Sequence, residues 1–331
     1  MKFLFVFTGG TIGSVVSDGV IRTDGNRPRV LLAEYERAYG ISFDYDCVEP
    51  YTTLSENNTG DTLRALCACV AAHKDKGYDG IVVTHGTDTL QYSAAALSYA
   101  FADIAIPLCV VSANYPVGDA RSNAISNLRG ALRFIAEVGE RGVWVPYQNK
   151  GEATHIHRGT RLWESIAFTD YVDSVFSTRY GTFEEEKPFA QNPACCEMTD
   201  AQQPLDASVL GENAPQILRV QSYPGMVYPA IGKDVRYVLH AGFHSGTLNT
   251  VSSEAKRFFA EARKRNIPVF LTGAARGDAY ASTCAFAALG ITPLYHIAPV
   301  AAYVKLWMLS ARHGSVTAEM LQASLAGDII P

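Results

Sequence analysis

The run Lys2-Phe3-Leu4-Phe5-Val6-Phe7-Thr8-Gly9-Gly10-Thr11-Ile12-Gly13-Ser14 decides how the chain is read. Its first half is an unbroken apolar stretch and its second half a glycine-rich turn. An apolar run of this length, closed by glycines, reads as a strand buried on both faces of a parallel sheet. Glycines just past it let the backbone turn sharply and approach a ligand closely. Thr11 then stands at the carboxyl end of the first strand, where open α/β sheets bind ligands. A hydroxyl beside free backbone N–H groups suits nucleophilic attack next to its own oxyanion hole. The same turn also suits a phosphate. A dinucleotide fingerprint needs G-x-G-x-x-G, and Thr8 occupies its first glycine; the Gly-Lys-Ser/Thr ending of a Walker loop does not follow. On the turn alone, a nucleophile, a phosphate site and a structural turn all stay open.

Outward from that turn, the pattern repeats. Val15 to Arg29 is rich in Gly, Asp, Arg and Ser without a sustained period and reads as a loop, placed where it could close over a bound molecule. Glu49 to Asp61 is polar, with Thr59 or Asp61 available to cap a helix whose apolar face is Leu63, Leu66, Cys67, Val70 and Ala71. Gly80–Thr84 is a short β-branched strand running into His85-Gly86-Thr87-Asp88-Thr89, a second strand-to-turn junction with a hydroxyl, now beside a carboxylate. Pro107–Val111 and Val143–Tyr147 read as further strands, separated by a helix with Ile125, Leu128, Leu132, Ile135 and Val138 on one stripe. Short apolar strands alternating with helices imply a parallel sheet covered on both faces, and right-handed crossovers put Thr11 and Thr87 at one edge of it.

The expected class is therefore α/β: a larger N-terminal parallel-sheet domain over 1–183, a linker over 184–216 marked by a Glu run, prolines and paired cysteines, and a smaller α/β domain over 217–331. In the last, Val235–His240 and Ile267–Leu271 read as strands, and Ser253–Arg265, Val300–Leu309 and Thr317–Leu325 as helices.

The 331 residues are 48% hydrophobic and 18% charged, which supports a substantial core. A formal charge of -5 argues against a nucleic-acid or anionic-membrane partner. No apolar run approaches the roughly 20 residues of a membrane span. The apolar stretch before Thr8 is too short for a signal-peptide core, so a cytoplasmic protein is expected. The cysteines Cys47, Cys67, Cys69, Cys109, Cys195, Cys196 and Cys284 are odd in number and contain no C-x-x-C pair, so free thiols are expected. His155-x-His157 lacks a further ligand at metal spacing, and no metal site is expected.

Thr8 to Gly13 and His85 to Thr89, with Ser55-Glu56-Asn57 between them and Ala301 to Trp307 near the end, resemble the bacterial-type L-asparaginase/glutaminase family over the whole chain. The resemblance implies a homodimer or homotetramer with the site at a subunit interface, no cofactor, and a small amino-acid substrate whose side-chain amide is hydrolysed. It implies Thr11 as nucleophile, Thr87 as the second threonine, Asp88 as acceptor for the α-amino group, and Ser55 and Glu56 at the two ends of the amino acid. Backbone N–H groups around Gly10 and Gly86 would hold the oxyanion. This sequence departs from the family pattern in three places. The lysine after an Arg-Gly-x-Arg segment is Glu164, in Arg158-Gly159-Thr160-Arg161-Leu162-Trp163-Glu164. There it would set two carboxylates together with Asp88, raising the pKa of one, with Arg161 or Lys150 as substitute cations. The loop tyrosine is Val20, with Tyr35 or Tyr39 as substitutes, and the turn of the small domain carries His244, read as a surface residue.

Overall fold

The computed structural model describes residues 1–17, 20–23, 27–195, 202–211, 216–277 and 279–330, with backbone only at 15–17, 20–23 and 27–29. Its strands are β1 (Lys2–Phe7), β2 (Ser14–Ser17), β3 (Val20–Thr23), β4 (Asp44–Val48), β5 (Gly80–Thr84), β6 (Pro107–Val111), β7 (Gly142–Gln148), β8 (Thr154–Arg158), β9 (Gly181–Phe183), β10 (Ala190–Gln191), β11 (Ile217–Gln221), β12 (Tyr237–Ala241), β13 (Val269–Ala274) and β14 (Ile291–Tyr295). Its α-helices are α1 (Arg27–Tyr39), α2 (Gly60–Ala71), α3 (Leu90–Ala100), α4 (Ala124–Arg133), α5 (Ser253–Lys264), α6 (Ala281–Cys284), α7 (Phe286–Leu289), α8 (Pro299–Arg312) and α9 (Ala318–Gln322).

The large sheet has the order β10-β9-β8-β7-β6-β5-β1-β4. From β4 to β7 it is parallel, and β7 to β10 pair antiparallel. The smaller sheet, β11-β12-β13-β14, is parallel throughout. The expected α/β class is thus found. Along β1, Phe3, Phe5 and Phe7 enter one apolar cluster, with Leu31 of α1 and Leu128 of α4. Leu4 and Val6 enter the other, with Leu66 of α2, Leu97 of α3 and Leu306 of α8. A strand with both faces buried has no polar side to alternate, which is why its sequence is continuously apolar.

The order also fixes where a ligand can bind. The chain leaves β1 for β4 on one side, then returns across β1 to β5 on the other. Between β1 and β5 the connections diverge, and the carboxyl ends of those two strands form the crevice of a doubly wound sheet.

Several elements differ from the sequence reading. Residues 15–29, read as a loop, begin with the β2–β3 hairpin, in which Ser17 pairs with Val20, and end in the start of α1. Asp18 and Gly19 lie outside the described residues. Helix α2 is capped by Thr59, one of the two expected candidates, through a capping box with Thr62, but Ala71 lies exposed rather than on the buried face. Within 184–216, Leu210 is buried in the core beside α2.

Two features carry stability. The amine of Lys305 on α8 is buried, 2.7 Å from Asp328 and 2.9 and 2.6 Å from the carbonyls of Leu321 and Ala323. Tyr99 of α3 donates to the same Asp328 carboxylate at 3.0 Å. The pair thus ties the C-terminal segment to α8 and α3 with every partner satisfied. Lys305→Met is expected to cost about 3–5 kcal/mol in urea unfolding, because it strands a buried carboxylate, and the added change Asp328→Leu is expected to recover much of that. A loss below about 1 kcal/mol would show that the pair does not hold this segment.

The second feature is a set of histidines buried in neutral form. Burial pushes His85 below its usual 6.5, His157 down to about 3 and His240 down to about 4. An unfolded chain takes up protons below pH 6.5 that these folded sites refuse, so stability is full above that pH and falls as pH drops. The carboxylates held below their usual range, such as Asp46 and Asp173, start to lose their contribution only nearer 4. Between pH 6.5 and 5 the unfolding free energy is therefore expected to fall, with a slope approaching about 1.4 kcal/mol per pH unit for each of His157 and His240. A flat profile in that window, measured by urea unfolding, would contradict the neutral assignments.

Candidate active site

The crevice is built from two glycine turns in contact. At the end of β1 the Thr8 hydroxyl donates to the carbonyl of Thr84, the last residue of β5, at 2.6 Å. The segment at Thr53 runs beside the turn: its N–H donates to Thr8 O (3.1 Å) and its carbonyl accepts from Gly10 N (2.8 Å). Gly9 and Gly10 have φ of 93° and 73°, the left-handed region that favours glycine. A Cβ on Gly10 would overlap the Gly86 backbone, 2.5 Å from its Cα, and a Cβ on Gly86 would lie 2.6 Å from the Cβ of Ser55. Three segments therefore close on one another through two residues that lack side chains. Thr11 and Thr87 each follow directly on one of those glycines.

Thr11 opens a short 3-10 turn, Thr11–Gly13, and is partly buried. The turn is fixed through the Gly10 carbonyl, which accepts from Gly13 N at 3.0 Å and from the Ser14 hydroxyl at 2.6 Å. Ser55 is buried and donates to the Asp88 carboxylate at 3.2 Å. Asp88, Glu56 and part of Thr87 face solvent. The structure thus brings Gly10, Thr11, Ser55, Gly86, Thr87 and Asp88 to one place, with Glu56 beside Ser55 on the same short turn.

Beneath the second turn lies a polar network. Nδ1 of the buried His85 is 2.7 Å from the Gly86 carbonyl, an obligate acceptor, so Nδ1 carries the proton. Nε2 then accepts from Ser93 Oγ at 2.8 Å and faces Asn58 Nδ2 at 3.3 Å. Asn58 also donates to Thr89 Oγ1 (3.0 Å), which donates to Ser55 O (2.9 Å). The loop bearing Ser55 is thereby fastened to the turn bearing Thr87 and Asp88. Sequence reasoning missed Asn58 and Ser93, because nothing in their spacing marks a pairing with His85.

Glu164 requires a correction. It does not sit against Asp88. Its carboxylate takes a bidentate pair from Arg219 on β11 (2.9 and 3.1 Å) and the Tyr92 hydroxyl of α3 at 2.5 Å. Burial pushes the Glu164 carboxyl up, but the Arg219 and Tyr92 hydrogen bonds outweigh it, so Glu164 lies below its ordinary range rather than above it. Nothing in the sequence marked this pairing: Arg219 is a lone charge in the strand Ile217–Val220 and lies on its exposed side, its side chain 36% exposed. The next residue, Ser165, meets the turn instead: its hydroxyl lies 3.3 Å from the Thr87 carbonyl and 3.2 Å from that of Asp88, and it accepts from Gln91 Nε2 at 3.2 Å.

The other substitutes are likewise placed. Arg161 is buried and donates to Gly327 O at 2.7 Å, on the C-terminal segment. Lys150, at the β7–β8 turn, lines a cavity of about 1220 Å³ that opens off Thr87 and Asp88. Tyr35 is buried in the core against Tyr39 and Phe43, and burial pushes its hydroxyl up. The side chain of Val20 lies outside the described residues. His244 is exposed, as expected. His155 and His157 are spent on Thr182 and Ser174, and among the described residues no cluster of three or more His, Cys, Asp or Glu is arranged for a metal.

Residues 2–190, more than half the chain, match the model of the N-terminal asparaginase domain. A glutamyl-tRNA(Gln) amidotransferase polypeptide of Methanobrevibacter smithii is 27% identical over 98% of this chain and 76% of its own length. L-asparaginase 1 of Escherichia coli K12 is 32% identical over 50% of this chain and 48% of its own. Among solved structures, L-asparaginase I of Vibrio cholerae superposes with a TM-score of 0.78 at 23% identity, covering 99% of this chain and 98% of that one. The thermostable L-asparaginase of Thermococcus kodakarensis gives 0.78 at 22%, covering 99% of each. The structural likeness is one of fold; joined to the family match and to the paired glycine turns, it shows that the chain belongs to the asparaginase family of amidohydrolases.

Proposed function

We propose that this protein hydrolyses the side-chain amide of L-asparagine, or of a closely related amino acid, through an acyl-enzyme on Thr11. The observation that supports the reading is the close approach of Gly10 and Gly86 at the switch point of the sheet, since Thr11 and Thr87 are the residues that follow them. Thr11 Oγ attacks the amide carbonyl. The amide nitrogen leaves as ammonia, taking the hydroxyl proton, and an ester to Thr11 remains. Water then cleaves the ester, giving the acid and restoring the hydroxyl. Thr87 handles the proton or the water, and N–H groups around Gly10 and Gly86 receive the oxyanion charge. Asp88, held by Ser55, is the counter-charge for the substrate ammonium, and Ser55 and Glu56 bracket the amino-acid end.

The assembly proposed is a homodimer or homotetramer of two-part subunits, divided as 1–183 and 217–331 about the segment 184–216, and the setting is cytoplasmic; among the described residues no helix is long and apolar enough to cross a membrane. A second reading, an amino-acid-binding protein without turnover, is favoured by one observation: position 164 carries no amine, and Glu164 is occupied by Arg219.

Ammonia release from L-asparagine and L-glutamine separates the two. Thr11→Ala is expected to lower turnover at least about a thousandfold with amino-acid binding retained. Asp88→Asn is expected to raise KM, because the ammonium loses its counter-charge. Tight amino-acid binding with no Thr11-dependent ammonia would overturn the hydrolase reading and leave the second.

A further inference from the structure

Glu164 and Ser165 are neighbours in sequence that grip different parts of the molecule. Glu164 reaches Arg219 on the first strand of the small sheet, and Ser165 reaches the carbonyls of Thr87 and Asp88. The Arg219 guanidinium is itself fixed: it lies 5.9 Å from the Tyr92 ring and 5.3 Å from the Tyr303 ring of α8, and donates to the Tyr92 hydroxyl at 2.5 Å. Two parallel N–H···O bonds set the plane of a carboxylate as one bond cannot. The loop that follows is pinned at its base, where Trp163 N donates to Asp173 O at 2.9 Å and Asn149 brackets the backbone of Val172 at 2.9 Å on each side. From Ile166 to Asp170 it is exposed. Ser165 is therefore held at its place beside the turn by the residue before it.

We propose that Glu164 and Arg219 are positioning residues, which set the Thr87–Asp88 turn from outside the site by holding Ser165 against its carbonyls, and that Glu164 takes no part in proton transfer. The kinetic half of this rests on the hydrolase reading; the structural half does not. The small sheet thereby acts on the chemistry of the large one through one ion pair. A charge at position 164, where the family resemblance implies a lysine, has become an anchor aimed away from the reacting atoms.

Trp163 supplies a readout independent of turnover. Of the three tryptophans, Trp144 and Trp307 are buried (0% and 8% exposed) and Trp163, next to Glu164 and on the cavity wall, is 48% exposed. Four full-length proteins are compared with wild type: Glu164→Ala, Arg219→Ala, the double alanine variant, and the exchange Glu164→Arg with Arg219→Glu. Each single variant is expected to increase acrylamide quenching of the exposed tryptophan, and to lower kcat about tenfold with a smaller change in KM, since a misplaced turn costs more in the transition state than in binding. The double variant is expected to be no worse than either single one, and the exchange to recover part of both signals. Glu164→Lys, which sets two cations together, is expected to behave like Glu164→Ala. Unchanged quenching in the single variants, or additive losses in the double one, would overturn the proposal. A rise in turnover with Glu164→Lys would overturn it too, by placing position 164 in the proton path. If wild type releases no ammonia, the hydrolase reading fails while the quenching arms still decide whether the ion pair holds the loop.

Discussion

The van der Waals contact between Gly10 and Gly86 is the constraint on which the rest depends. Two neighbouring parallel strands lie close to 4.8 Å apart, and turns leaving them carry side chains that would normally push them asunder. Here both turns place a glycine at the point of approach, and a Cβ on either would overlap the backbone or side chain of its neighbour. The chain order supplies the crevice, because β1 and β5 are adjacent while their connections go to opposite sides. The glycines let the two turns meet at that crevice, each followed directly by a threonine, Thr11 and Thr87. The Thr8-to-Thr84 bond and the strand-like pairing at Thr53 hold the same gap closed from below and from the side.

A contact without side chains cannot define direction, and direction comes from the polar network under the second turn. His85 is buried and neutral, with one nitrogen donating to Gly86 and the other accepting from Ser93. Protonation would turn the accepting nitrogen into a donor facing Asn58, also a donor, so burial and the hydrogen-bond pattern favour the same state. Neutrality here has a consequence for the site above it. With His85 neutral, no imidazolium lies beneath the turn that carries Asp88.

How far the sequence carried the reading follows the same physics. Strands buried on both faces, β1, β5 and β6, were legible because burial demands continuous apolar sequence, and Thr11, Thr87 and Asp88 were legible because they follow those strands immediately. Strand β4, Asp-Tyr-Asp-Cys-Val, was not legible: it is an edge strand, largely exposed, and reads as polar loop. Strand β14 contains Pro293, which an edge strand tolerates and a sequence pattern reads as a break. The partnership of Glu164 was hidden for a different reason. A motif fixes where a residue falls along the chain, whereas the side its carboxylate takes is decided by a cation more than fifty positions later, Arg219.

That choice of side settles the electrostatics of the site. Two carboxylates in one small pocket would repel, and one would hold its proton, leaving a poor counter-charge for an ammonium. Arg219 removes the conflict by neutralising Glu164 where a bidentate geometry and the faces of two tyrosine rings make the pairing favourable. The turn then bears a single unpaired negative charge, Asp88, oriented by the neutral hydroxyl of Ser55. On the proposed reading this is the charge that a substrate ammonium meets, and Arg219, a residue outside the pocket lining, is what keeps it single.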